Sequence, residues 1–167
     1  TIECMYEHIK FKNAINMRKA NYDKFPSTKL TGMLVQGWDI IISMLKEKMD
    51  ARKVLAVDLY TGVYEEEVLD AFSKEFSGRV MNVRDLMKPE KEIQTLTERF
   101  MTEDVLFGYV TNLKLEDYLD ADKLAAAQKQ ISEAEDTIVI IGTGAAMVAP
   151  QDAMIVYADM ARWEIQQ

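Results

Sequence analysis

The chain has 167 residues, 49% of them apolar, which suits one domain with a real buried core and is too apolar for disorder throughout. A net charge of -8 and a pI near 4.8 exclude non-specific nucleic-acid binding, because a phosphate backbone is held by clustered Lys and Arg. Cys4 is the single cysteine, so no intramolecular disulfide can form, and a reducing compartment, by default the cytoplasm, is expected.

Residues 1–36 read as an N-terminal arm. Pro26 pushes Phe25 out of the helical region, and Tyr22 and Phe25 are the expected anchors of the arm on the domain. After Gly37, Trp38, Ile41, Ile42, Leu45 and Met49 recur at helical spacing with charges opposite, predicting a helix beside a sheet. The stretch Val54 to Phe76 then reads as strand, turn and helix: Val54 to Val57 is continuously apolar, Asp58 to Gly62 turns, and Glu65-Glu66-Glu67 opens a helix with Val68, Leu69, Phe72 and Phe76 inward. Ser77-Gly78 ends that helix, and Arg79 to Val83 is a second strand candidate.

Lys88-Pro89-Glu90 starts a further helix with Ile93, Leu96, Phe100 and Met101 on one face, followed by a short apolar stretch, Val105 to Val110. Leu115 to Ala134 reads as one helix, with Ala121, Leu124, Ala125, Gln128 and Ile131 as its stripe. Thr137 to Ile141 is the strongest strand signal, closed by Gly142-Thr143-Gly144, and Met154 to Tyr157 is a last strand. The apolar run that ends at Ala149 is too short and glycine-broken for a membrane span, and the N-terminus lacks a signal-peptide core. Helices alternating with continuously apolar strands predict a three-layer α/β fold, a mainly parallel sheet covered by helices on both faces, over residues 37–167. The start at Thr1 and the uncapped helical pattern Met160 to Gln167 predict a fragment of a longer protein.

A strand-turn-helix is where an α/β fold grips phosphate, since turn N–H groups and a helix N-terminus attract anions. A Walker loop also needs Gly, Lys and Ser or Thr at fixed positions; with Asp58 at the first Gly those later positions are Val63, Tyr64 and Glu65, and no register supplies the lysine. Glu65, Glu66 and Glu67 suit the helix dipole, each by roughly 0.3–1 kcal/mol, and repel a triphosphate. Gly142-x-Gly144 after a strand invites a dinucleotide reading, but Met147 occupies the third glycine position; the glycines are expected to serve a bend with positive φ or a close backbone approach. Asp58, Asp104 and Asp159 are carboxylates expected at strand ends, suited to a base, a Mg²⁺ ligand or a turn. His8 is the only histidine; with Cys4 it makes two ligands, short of a zinc site, and no serine triad is available.

The residues Tyr22 to Thr28, Gly37-Trp38-Asp39, Val57 to Val63, Phe107-Gly108-Tyr109, Gly142 to Ala146 and Val156 to Gln166 together resemble the N-terminal region of long class I mannose-6-phosphate isomerases of Bacteroides-type bacteria. That resemblance implies a uridine-kinase-type, P-loop NTPase-like domain with a degenerate phosphate loop, preceding a cupin partner domain that carries the isomerase zinc. No cofactor or metal is implied for this chain itself, and no catalytic residue. It sets Asp159 and Arg162 near the start of an arginine-bearing lid helix. Asp58, Tyr60, Gly62, Gly142 and Gly144, with Asp159 and Arg162, are therefore the candidate ligand-binding residues. Three functions stay open: a non-catalytic regulatory domain, a divergent phosphotransferase using Asp58 and Asp159, and an assembly module, homo-oligomeric or docked on another domain, its 11 methionines suiting adaptable packing.

Overall fold

The structure, a computed structural model, describes residues 29, 31–104 and 107–161. The expected anchors Tyr22 and Phe25, the pair Cys4 and His8, and Arg162 lie outside the described residues. The chain divides into two compact units, Thr1–Leu34 and Val35–Gln167, and every element below belongs to the second.

Four strands form one parallel sheet: β1 (Val54–Leu59), β2 (Arg79–Asn82), β3 (Ile138–Gly142) and β4 (Met154–Ala158), in the order β2-β3-β1-β4. The predicted α/β sandwich is thus the observed one. Alternation along the two inner strands sends Leu55, Val57, Leu59, Val139 and Ile141 to one face and Val54, Ala56, Ile138 and Ile140 to the other. Both sets are buried, which is why the sequence shows unbroken apolar runs there.

Helices α1 (Trp38–Met49) and α2 (Glu65–Glu75) cover the first face. Ile42 and Met49 meet Val68 and Phe72, and Trp38 stands edge-on to Phe72 with ring centroids 6.5 Å apart. On the second face lie α4 (Ala121–Glu133) and the short α5 (Ala145–Val148), with Ala127, Ile131, Ala145 and Val148 against the strands.

β1 runs on through Asp58 and Leu59, which the sequence reading assigns to the turn, β3 and β4 each end one residue later than expected, and other boundaries differ as well. β2 stops at Asn82, whose side chain accepts from the Arg84 N–H at 2.8 Å and opens a 3₁₀ turn, Val83–Leu86. Leu115 to Ala134 is two elements, a 3₁₀ turn Leu115–Tyr118 and then α4. The break follows from Asp120, whose carboxylate caps α4 by accepting from the N–H groups of Asp122 and Lys123, and from an antiparallel bridge pairing Leu119 with Met87. Finally, α3 (Glu90–Glu98) ends before Phe100 and Met101, and none of its residues is fully buried. Asp104 lies in the loop after it, away from any strand end.

Phe72 is 1% exposed and joins both helices to the sheet. Replacing it with Ala should cost about 3–5 kcal/mol, read as a lower urea midpoint with an unchanged slope.

Candidate functional site

The topology fixes where a ligand site belongs. From β1 the chain crosses to β2 through α2 on one face; from β3 it crosses to β4 through α5 on the other. Adjacent strands whose connections leave on opposite faces make a switch point, with a crevice outside their carboxyl ends. Here those ends are Asp58-Leu59 of β1 and Gly142 of β3, and Asp58 stands in register with Gly142.

The crevice is closed by the protein's own side chains. Asp58 Oδ1 accepts from the Gly144 N–H at 3.2 Å and Oδ2 from the Ala146 N–H at 2.9 Å. Thr143 Oγ1 donates to the Leu59 carbonyl at 3.0 Å. A carboxylate thus takes the place an incoming anion would need, held by charge-assisted hydrogen bonds. The glycines make this possible. Gly142 has φ 136° and a Cβ there would lie 2.9 Å from Val83 Cβ, while Gly144 has φ 88° and faces Leu115.

The α2 N-terminus is likewise taken up by acids. Glu65 Oε2 accepts from Arg84 Nη2 at 2.9 Å, and Glu67 Oε1 accepts from Trp38 Nε1 at 2.9 Å. Glu65 Oε1 is shut off from solvent without a hydrogen-bond partner. It lies between two concavities at this end of the sheet. One of about 350 Å³ is lined by Val83, Met87, Leu115, Tyr118 and Leu119 below the Glu65–Arg84 pair; the other, of about 440 Å³, follows the turn Tyr60 to Tyr64. A larger one, about 720 Å³, opens at the opposite end of the strands among Lys46, Arg52, Arg79, Glu135 and Asp136, where charges of both signs mix and no strand carboxyl end points.

Of the candidate residues, Asp58, Tyr60, Gly62, Gly142 and Gly144 come together at the carboxyl ends of β1 and β3. Asp159 sits just past β4, where its Oδ1 accepts from the Met160 N–H at 2.8 Å. Tyr157 meets Tyr60 edge-on at 6.4 Å, and slight desolvation of its hydroxyl where the two rings meet, then the charges of Asp159, Tyr60 and Asp58, raise its pKa from the ordinary 10.0 although the side chain stays largely exposed. Sequence reasoning missed Arg84 and Thr143. Thr143 was visible only as the residue between two glycines, and Arg84 had the one signal of following a strand. Among the described residues no group of three His, Cys, Asp or Glu converges as a metal site, and no helix is long and apolar enough to cross a membrane.

Residues 37–167 match the family model of DUF8485, a domain of unknown function. The chain belongs to that family. No curated protein and no solved structure matches it.

Asp58→Ala leaves two backbone N–H groups of this DUF8485 domain without their acceptor and should destabilise it by about 1–3 kcal/mol in chemical denaturation. For Tyr157, the raised pKa means the folded state favours the neutral ring: its stabilisation is present below pH 10.0 and is lost as pH rises through the folded value. Ultraviolet titration should show the Tyr157 contribution, read as the absorbance change lost in Tyr157→Phe, with a midpoint above 10.0, and Asp159→Asn should bring that midpoint down.

Proposed function

We propose that this DUF8485 domain is a kinase-like α/β module, of degenerate P-loop type, that has given up phosphate chemistry and serves as a non-catalytic, regulatory part of a longer sugar-phosphate isomerase. One observation carries the first half. The Asp58 carboxylate occupies the backbone N–H groups of Gly144 and Ala146 at the switch point, where an anionic ligand would otherwise be received.

The surroundings point the same way. Tyr64 and Glu65 stand where a Walker loop needs lysine and hydroxyl, and Glu65, Glu66 and Glu67 put three negative charges at the α2 N-terminus. Bringing a triphosphate here would set it against four carboxylates, with Arg84 already paired to Glu65. Asp58 is engaged by two N–H donors and is poorly placed to deprotonate a substrate, which weighs against a phosphotransferase. The isomerase context rests on the resemblance of the Val57 to Val63, Gly142 to Ala146 and Val156 to Gln166 motifs, and it assigns the metal chemistry to a separate cupin partner domain.

Calorimetric titration with ATP, GTP and UTP in the presence of Mg²⁺, and with mannose 6-phosphate, tests the reading. No nucleotide heat is expected up to millimolar ligand. Micromolar binding of any Mg-nucleotide, or phosphoryl transfer abolished by Asp58→Asn, would overturn it.

A further inference from the structure

The sheet has two edges, and only one is guarded. β2 is four residues long, opens on Arg79 and closes on Asn82. β4 is uncharged along Met154–Ala158, has no proline, and pairs without a bulge in register with β1. Edge strands normally carry a charge, a proline or a bulge that discourages further pairing.

The free side of β4 can be identified residue by residue. The Ala158 carbonyl accepts from the Tyr60 N–H at 2.9 Å, so the backbone of Ala158 faces β1. Backbone direction alternates along a strand, and Val156 and Met154 face β1 as well. The N–H and C=O groups of Ile155 and Tyr157 therefore point away from the sheet, and among the described residues no strand pairs with them. Their side chains are 57% and 59% exposed. Together they form an apolar step, extended by Tyr60, beside a row of unused backbone donors and acceptors.

Charge narrows the occupant. From Gln130 to Ala161 there is no Lys, Arg or His, and the acids Asp152 and Asp159 flank β4. Asp58 stands opposite Tyr157 in the ladder, and Tyr60 to Glu67 adds only acids to that end. Lys53 shares a concavity with Asp152 at the N-terminal end of the strand, so among the described residues the acid without a neighbouring cation is the one at the Asp159 end. A second copy paired antiparallel about Val156 would set Asp159 of one copy against Ala153 of the other, next to that copy's Asp152, which disfavours that register.

We propose that the edge of β4 is a β-augmentation site for an extended segment of a partner protein, apolar at alternate positions and bearing Lys or Arg beside Asp159. Main-chain hydrogen bonds to Ile155 and Tyr157 supply the affinity, and the basic flank sets register and orientation.

The test uses the full chain, isotope-labelled for amide NMR, with a synthetic peptide in which Val alternates with Thr between paired lysines. Saturable shifts centred on the amides of Ile155 and Tyr157 are expected, and the same peptide with glutamates for lysines should bind about tenfold more weakly. Ile155→Pro removes an outward N–H while sparing the ladder to β1, and should abolish binding. Tyr157→Glu, which leaves every backbone donor in place, should weaken it and serves if the proline variant does not fold. Absence of binding, equal binding of the two peptides, or full binding by both variants would overturn the proposal. So would a dimer of the unliganded chain in sedimentation that Ile155→Pro dissolves, since the edge would then belong to a second copy.

Discussion

The Asp58 carboxylate is the interaction on which the functional end of this sheet depends. It reaches from the carboxyl end of β1 to the N–H groups of Gly144 and Ala146, beyond the end of β3. Two strands that are adjacent in space but about eighty residues apart in sequence are thereby tied at their carboxyl ends, with Thr143 adding a second tie to Leu59. An ionised acceptor held by two backbone donors is both strong and directional. Because the same donors are what an open α/β sheet offers to an anionic ligand, the tie closes the crevice as it stabilises it.

Around this tie the packing explains what can vary and what cannot. The two central strands are buried on both faces, so every residue of β3 lies in the core, and the helices above and below are held by apolar contact. The outer elements are looser: α3 buries no residue fully, and β4 leaves Ile155 and Tyr157 in solvent. Exposed apolar surface beside backbone groups outside the ladder is therefore concentrated at the β4 edge, with Tyr60 and Tyr64 at the crevice rim.

Much of the fold was legible in the residues. The apolar runs of Val54 to Val57 and Thr137 to Ile141 announced buried parallel strands, because only a strand covered on both sides dispenses with alternation. The glycines at the end of β3 were expected to serve a bend with positive φ or a close backbone approach; Gly142 and Gly144 do have positive φ, and what crowds Gly142 is the Val83 side chain. The continuous helix expected from Leu115 to Ala134 failed because local caps outcompeted propensity: Asp120 offers its carboxylate to two N–H groups, and Leu119 is drawn into a bridge with Met87. The face expected for Ile93, Leu96, Phe100 and Met101 is there in part: Ile93, Leu96 and Phe100 are half-buried among mostly exposed neighbours, while Met101 lies past the helix end in solvent, since periodicity marks an apolar stripe without saying what covers it.

By itself the sequence determined the α/β class, the position of the strand-turn-helix and the absence of a Walker lysine, because these follow from local pattern and residue chemistry. Only the tertiary structure decided what lies beyond the carboxyl end of β1, where Asp58 takes the N–H groups of Gly144 and Ala146. The partner of Asp58 lies on another strand, and strand order is set by long-range packing that no local window contains. The pairing of Glu65 with Arg84 and the unguarded edge of β4 were settled at the same level, once the crossovers had brought distant residues to one end of the sheet.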